Sequence, residues 1–195
     1  MVILGITGGI GSGKSYISSL LREQMNVPVY DCDAEAKRLI CEDEELRKKL
    51  TALVGALIFR DGKLQKKVLA DYVFADKQHT QKVNAIVHPA VRNDICNWAK
   101  QQNAEVVAIE SAILYESNFD TLVDKVLFVD APIELRTQRA MKRDGSTREQ
   151  VEARISMQKA DQQRLKADYV IDNGTDGKET LQETLHEILK KVTAN

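Results

Sequence analysis

One short stretch limits what this chain can fold into more than any other. Residues 2–21 read VILGITGGIGSGKSYISSLL. Inside lies the pattern G-x-x-x-x-G-K-S, running from Gly8 through Gly13 and Lys14 to Ser15. An apolar run, Val2 to Ile6, precedes it, and a helix-competent run, Tyr16 to Gln24, follows. Strand, glycine-rich turn and helix is the context in which this pattern builds a phosphate-binding loop. Glycines let the chain wrap tightly and aim successive N–H groups at phosphate oxygens. The helix N-terminus adds partial positive charge. A lysine at position 14 reaches β- and γ-phosphates, and a serine hydroxyl at position 15 can ligate Mg²⁺. A dinucleotide fingerprint is excluded, because G-x-G-x-x-G needs glycine where Lys14 stands.

Composition narrows the setting. With 195 residues and 43% apolar content, the chain can bury one real core. Lys and Arg total 28 against 29 Asp and Glu, so neither a general nucleic-acid binder nor a polybasic membrane surface is expected. Cys32, Cys41 and Cys96 form no C-x-x-C and read as free thiols of a reducing compartment. The apolar start is cut short at Gly8 and has no basic lead, which argues against a signal peptide or membrane span; the expected location is the cytoplasm.

In chain order, strands are expected over 2–7, 27–30, 105–110, 125–130 and 168–172. Helices are expected over about 13–25, from about Ala34 to 54 with a break or restart at Glu42 to Glu45, and from about Gln65 to Gln102. His88-Pro89 suggests a break or a fresh start within the last of these. Leu39, Ile40, Leu46, Leu50 and Leu53 form the expected buried stripe, and Arg60-Asp61-Gly62-Lys63 is a turn signal. Pro132 opens a helix to about Lys142, a second spans 147–165, and a last one carries Leu181, Leu185, Ile188, Leu189 and Val192. Strands alternating with helices predict an α/β fold: a five-stranded parallel sheet flanked by helices. The helical stretch between the second and third strands is long enough to form a lobe of its own.

Ligands of such sheets sit beyond the strands' carboxyl ends. Asp31, Asp33, Glu110, Asp130 and Asp172 stand at those ends. Either Asp31 or Asp33 caps the next helix, and a carboxylate there can also accept the proton of an attacking hydroxyl. Glu110 suits an acid behind Mg²⁺ or one that positions water. Asp130 and Asp172 read as turn residues. Arg136, Arg139, Lys142, Arg143, Arg148 and Arg154 crowd two helices joined by Asp144-Gly145-Ser146-Thr147, as in a lid that neutralises transferring phosphate. His186 reads as structural, His79 as an exposed turn residue, and Trp98 with the Phe and Tyr residues as core or pocket wall.

Several segments together resemble the dephospho-coenzyme A kinase family over nearly the whole chain. They are GITGGIGSGKS at 5–15, Asp31-Cys32-Asp33-Ala34, Asp61-Gly62-Lys63-Leu64, Val73 to Asp76, Asn84 to Pro89, Glu110 to Glu116, Arg139 to Asp144, Arg154-Ile155-x-x-Gln158 and Ala167 to Asn173. The resemblance implies a P-loop kinase that uses ATP and Mg²⁺ to phosphorylate the ribose 3′-hydroxyl of dephospho-CoA. It implies a core over about 1–33, 103–138 and 166–195, a helical acceptor-binding insertion over about 34–102 and a lid over about 139–165. Asp33, Lys14, Arg139 and Arg143 are the implied catalytic residues. Gly9, Gly11, Ser12, Gly13, Lys14, Ser15, Tyr16, Arg143 and Asn173 are implied for ATP, with Ser15 on the metal. Asp33, His88, Glu110 and Arg154 are implied for the acceptor. The chain departs from the family pattern at Tyr16, at Gln65-Lys66, at Glu110 and Ala112, and at Arg136, where a glutamine is common.

Two rival classes share parts of this pattern. A nucleoside or nucleotide monophosphate kinase shares loop and lid, but not the Asp31 to Asp33 and His88-Pro89 segments. A nucleotide-binding switch would need Gln158-Lys159-Ala160-Asp161 to read guanine, yet that run follows no apolar strand. A monomer or small homo-oligomer is expected, with no nucleic acid or membrane partner.

Overall fold

The computed structural model describes residues 1–158, 160–174 and 177–194. In chain order the elements are β1 (Val2–Gly8), α1 (Lys14–Met25), β2 (Val29–Asp31), α2 (Cys32–Glu42), α3 (Glu44–Val54), β3 (Phe59–Arg60), β4 (Lys63–Leu64), α4 (Lys66–Ala75) and α5 (Lys77–Lys100). They continue with β5 (Val106–Glu110), β6 (Lys125–Asp130), α6 (Ile133–Asp144), α7 (Arg148–Met157), α8 (Ala160–Lys166), β7 (Tyr169–Asp172) and α9 (Lys178–Thr193). Contacts gather into two compact units, Met1–Tyr30 with Gln102–Asn195, and Asp31–Gln101.

The first unit is built on a five-stranded parallel sheet in the order β2-β5-β1-β6-β7. All of β5 is buried, which explains why Val-Val-Ala-Ile shows no polar alternation. Leu4, Ile6, Ala108, Leu127, Val129 and Ile171 share one sheet face, against Ile17, Leu20 and Leu21 of α1 and Leu181, Leu185, Ile188 and Val192 of α9. Register pairs Ile6 with Glu110 and Gly8 with Val129. The acid ending β5 therefore lies beside the strand that leads into the glycine-rich loop.

The second unit is helical apart from the β3–β4 hairpin. Its two-residue turn, Asp61-Gly62, has φ of 49° and 75°, the left-handed pair that a type I′ turn requires. Two helix starts are set by side chains. Asp31 accepts from Asp33 N and Ala34 N at 3.0 Å, and Asp43 accepts from Leu46 N at 2.9 Å. The cap is thus Asp31 rather than Asp33, and α2 begins at Cys32, two residues before the expected start.

Other expectations need correction. Pro89 lies inside one continuous α5 and neither breaks nor starts it. Val83, Val87, Val91, Ile95 and Ala99 recur on one buried face, and that apolar burial offsets the ~3 kcal/mol penalty of an interior proline. The helix expected over 147–165 is two helices, α7 and α8, and Lys159 between them lies outside the described residues. His79 is not a turn residue: it sits in α5, half-buried, stacked on Tyr72 with ring centroids 4.1 Å apart. Leu53 is only half-buried. Phe74 is 85% exposed and so is neither core nor wall. No helix of the described residues is long and apolar enough to cross a membrane.

Candidate active site

The loop from Gly8 to Ser15 leaves β1 at its carboxyl end and turns into α1. Gly13 caps α1 with φ 93°, where a side chain would be strained. A Cβ there would also meet Asn173 Nδ2 at 2.0 Å. Tyr16 N and Ile17 N both bond to Gly13 O, so the first turn forms immediately behind the loop. Lys14 folds back across it, its ammonium donating to Gly8 O at 3.0 Å and Gly9 O at 3.2 Å.

Ser15 and Glu110 form the next contact. Ser15 Oγ donates to Glu110 Oε1 at 2.8 Å. Glu110 is 6% exposed, and its Oε2 is buried without a hydrogen-bond partner among the described residues. A hydroxyl and a half-satisfied carboxylate are hard oxygen donors and fit Mg²⁺, which takes one or two protein oxygens and completes its shell with phosphate and water. No group of three or more His, Cys, Asp or Glu among the described residues could hold a metal by itself.

The far wall comes from β6, α6 and β7. Asn173 follows β7 and is 6% exposed. Its N–H bonds Asp130 O at 2.8 Å, and its Nδ2 donates to Ser12 O at 2.8 Å. Arg139 Nη2 donates to Asn173 O at 3.0 Å. Arg139 Nη1 is buried without a partner among the described residues, about 3.7 Å from where a Gly13 Cβ would stand. A buried, half-satisfied guanidinium beside the loop fits phosphate oxygens. Arg136 lies deeper, 7% exposed, with Nε on Ile10 O at 3.0 Å.

The remaining expected residues divide. Gly9, Gly11, Ser12, Gly13, Lys14, Ser15, Glu110, Arg139 and Asn173 come together around one loop. Tyr16 points outward at 39% exposure. Arg143 and Arg154 both bind Asp144, at 2.7 Å and 2.9 Å, rather than the loop. Arg143 first, and then Arg154 against the opposing cost of burial, hold the Asp144 carboxyl down at about 2. Asp33 and His88 belong to the second unit. Asp33 is exposed in the first turn of α2. His88 is half-buried in α5, and burial keeps its imidazole below the ordinary value.

Two residues expected only as parts of the lid reach the loop itself. Gln158 Oε1 accepts from Ile10 N at 2.7 Å, and Arg136 holds the same residue's carbonyl. Spacing could not reveal either, since 148 residues separate Gln158 from Ile10. The basic cluster and the departure from glutamine at position 136 both mark the arginine, but neither points to the Ile10 carbonyl.

A family model described as dephospho-CoA kinase matches residues 2–179. A relative from Bacteroides fragilis, named dephospho-CoA kinase, is 44% identical over 188 residues, covering 95% of this chain and 90% of the relative. A crystal structure of a Thermus thermophilus protein superposes with a TM-score of 0.83 at 34% identity, covering 97% of each chain. A dephospho-CoA kinase from Campylobacter jejuni superposes with a TM-score of 0.70 at 23% identity, over 98% of this chain and 97% of that one, a likeness of fold. Because the family match runs from β1 into α9 and takes in the loop, Glu110, Arg139 and Asn173, this chain belongs to the dephospho-CoA kinase family.

Proposed function

We propose that this protein transfers the γ-phosphoryl group of ATP to the ribose 3′-hydroxyl of dephospho-CoA, giving CoA and ADP. One observation carries the reading: Lys14, the Ser15–Glu110 pair and the free face of Arg139 surround a single phosphate-binding loop in a member of this family. Loop N–H groups and Lys14 hold the β- and γ-phosphates. Ser15 would ligate Mg²⁺ with Glu110 orienting its hydroxyl, and the ion would screen phosphate charge. The 3′-oxygen bonds to the γ-phosphorus as the bond to the β–γ bridging oxygen breaks, and ADP leaves. Asp33 takes the hydroxyl proton. Arg139 stabilises charge on the transferring group, where positioning and charge supply most of the catalysis. Arg143 joins it by exchanging Asp144 for phosphate, so 139–165 acts as a lid. Residues 34–102 receive the acceptor, with His88 and Arg154 contributing. The reaction belongs to the cytoplasm.

A coupled ADP-release assay across dephospho-CoA, adenosine, shikimate and nucleoside monophosphates tests this. Turnover is expected with dephospho-CoA and at least ~100-fold less with the others, the discrimination available when a site's polar groups go unpaired. Comparable turnover with a nucleoside monophosphate would contradict the acceptor assignment.

A further inference from the structure

Ile10 stands at the tip of the phosphate loop, at a position where the motif accepts any residue. Here it is held three ways. Its side chain packs against the buried cluster of Ala140, Val151 and Ile155, from α6 and α7. Its carbonyl accepts the 3.0 Å bond from Arg136 Nε. Its N–H donates the 2.7 Å bond to Gln158 Oε1, at the C-cap of α7. Both polar groups of one residue are therefore satisfied by side chains from the α6–α7 pair.

Arg136 is placed to do more than pair a carbonyl. A Cβ at residue 9 would fall 1.9 Å from its Nη2 and 2.4 Å from its Cζ. The guanidinium thus lies against Gly9 in space that any other residue would fill. It is 7% exposed, so its permanent charge acts through little water.

We propose that Arg136 and Gln158 are positioning residues of the phosphate loop. They lock the Ile10 peptide, and with it the loop tip, in the form that receives phosphate, and they tie that form to the packing of α6 on α7. This rests on the nucleotide-binding reading of the loop. Weakening the clamp costs grip on the phosphate tail and leaves the acceptor's binding alone.

The test uses the full chain with Arg136→Met, Gln158→Leu, the double variant and Gly9→Ala. MgADP affinity is measured by calorimetry, and KM for ATP and for dephospho-CoA by steady-state kinetics. Arg136→Met and Gln158→Leu should each weaken MgADP and raise KM for ATP by ~10-fold, as loss of one charged or buried hydrogen bond does. KM for dephospho-CoA should stay within about 2-fold. The double variant should fall short of the product of the two effects by at least ~3-fold, because both act on one peptide. Gly9→Ala pushes the guanidinium aside, and the combined Gly9→Ala/Arg136→Met variant should be little weaker than Arg136→Met. Unchanged MgADP affinity, equal losses for both substrates, or full additivity would each overturn the clamp. Should Arg136→Met fail to fold, Gln158→Leu carries the test, because Gln158 is only half-buried. Wild-type protein that binds no MgADP would sink the loop reading and the clamp together; wild type and Gln158→Leu binding it alike would sink the clamp alone.

Discussion

The two units treat their polar residues in opposite ways. In the unit built on the sheet, several candidate residues are buried and already fixed. Glu110, Asn173 and Arg136 are 6–7% exposed, and each holds a backbone or side-chain partner at the loop. In the helical unit, Asp33 is exposed and His88 half-buried. Arg38 of α2 there gathers Glu35 and Glu42 of its own helix and Asp94 of α5. Under the proposed function, the nucleotide side is preorganised, which suits a triphosphate of constant shape, and the acceptor side keeps the Asp33 carboxylate exposed. Preorganised dipoles stabilise charge without reorganising, while an exposed carboxylate keeps an ordinary hydration shell to lose.

That contrast can be broken most forcefully at Asp33. Asp33→Asn should leave MgADP affinity unchanged in a titration while lowering kcat by ~10²–10⁴-fold, the range for loss of a general base. Near-normal turnover would remove Asp33 from the chemistry. Arg139→Met comes next. It should lower kcat by ~10²-fold, as loss of one preorganised donor does, and it should weaken MgADP as well, which Asp33→Asn does not. Equal effects of the two variants on ADP affinity would erase the distinction between the units. Glu110→Gln should raise the Mg²⁺ concentration for half-maximal rate by ~10–100-fold, the usual cost of losing a carboxylate that orients a metal ligand. A magnesium titration with no shift would separate Glu110 from the metal.

Smaller effects sharpen the picture. Burial holds the His88 imidazole below its ordinary value of 6.5. As pH falls, the unfolded chain takes up that proton before the folded one, so stability is full above about 6.5 and declines as pH drops through that value toward the folded one. Denaturant titrations at about pH 7.5 and 5.5 should show a loss that His88→Gln reduces. At Asp144, whose carboxyl is depressed to about 2, the stabilising contribution is present above the ordinary 3.8 and is lost only as pH falls through about 2. No step from it should appear in a pH–rate profile near neutrality. Asp144→Asn should change KM for ATP by no more than ~3-fold, downward if it frees Arg143, since exposed ion pairs contribute little.

Particular elements show what could be read in advance. The apolar run before Gly8 and the buried-type run ending in Glu110 announced two parallel strands, because strands covered on both faces need no alternation. Pro89 misled, since its local penalty is visible in one residue while the five-residue stripe that overrides it is spread over α5. The Asp61-Gly62 turn was legible, yet the strands flanking it are two residues each, too short to carry a period. Arg143 and Arg139 look alike in sequence, four residues apart. Asp144 takes the first, and Asn173 takes the second.

From sequence alone, the loop's chemistry, the parallel α/β class and the family resemblance were determined, because glycine spacing, apolar runs and motif order are local properties of the chain. Tertiary structure alone decided which polar atoms meet. The Ser15–Glu110 bond spans 95 residues, Asn173 to Ser12 spans 161, and Ile10 to Arg136 spans 126. Contacts over such distances depend on strand order and register, and a hydrogen bond only a few ångströms long leaves no periodic trace in the residues that make it.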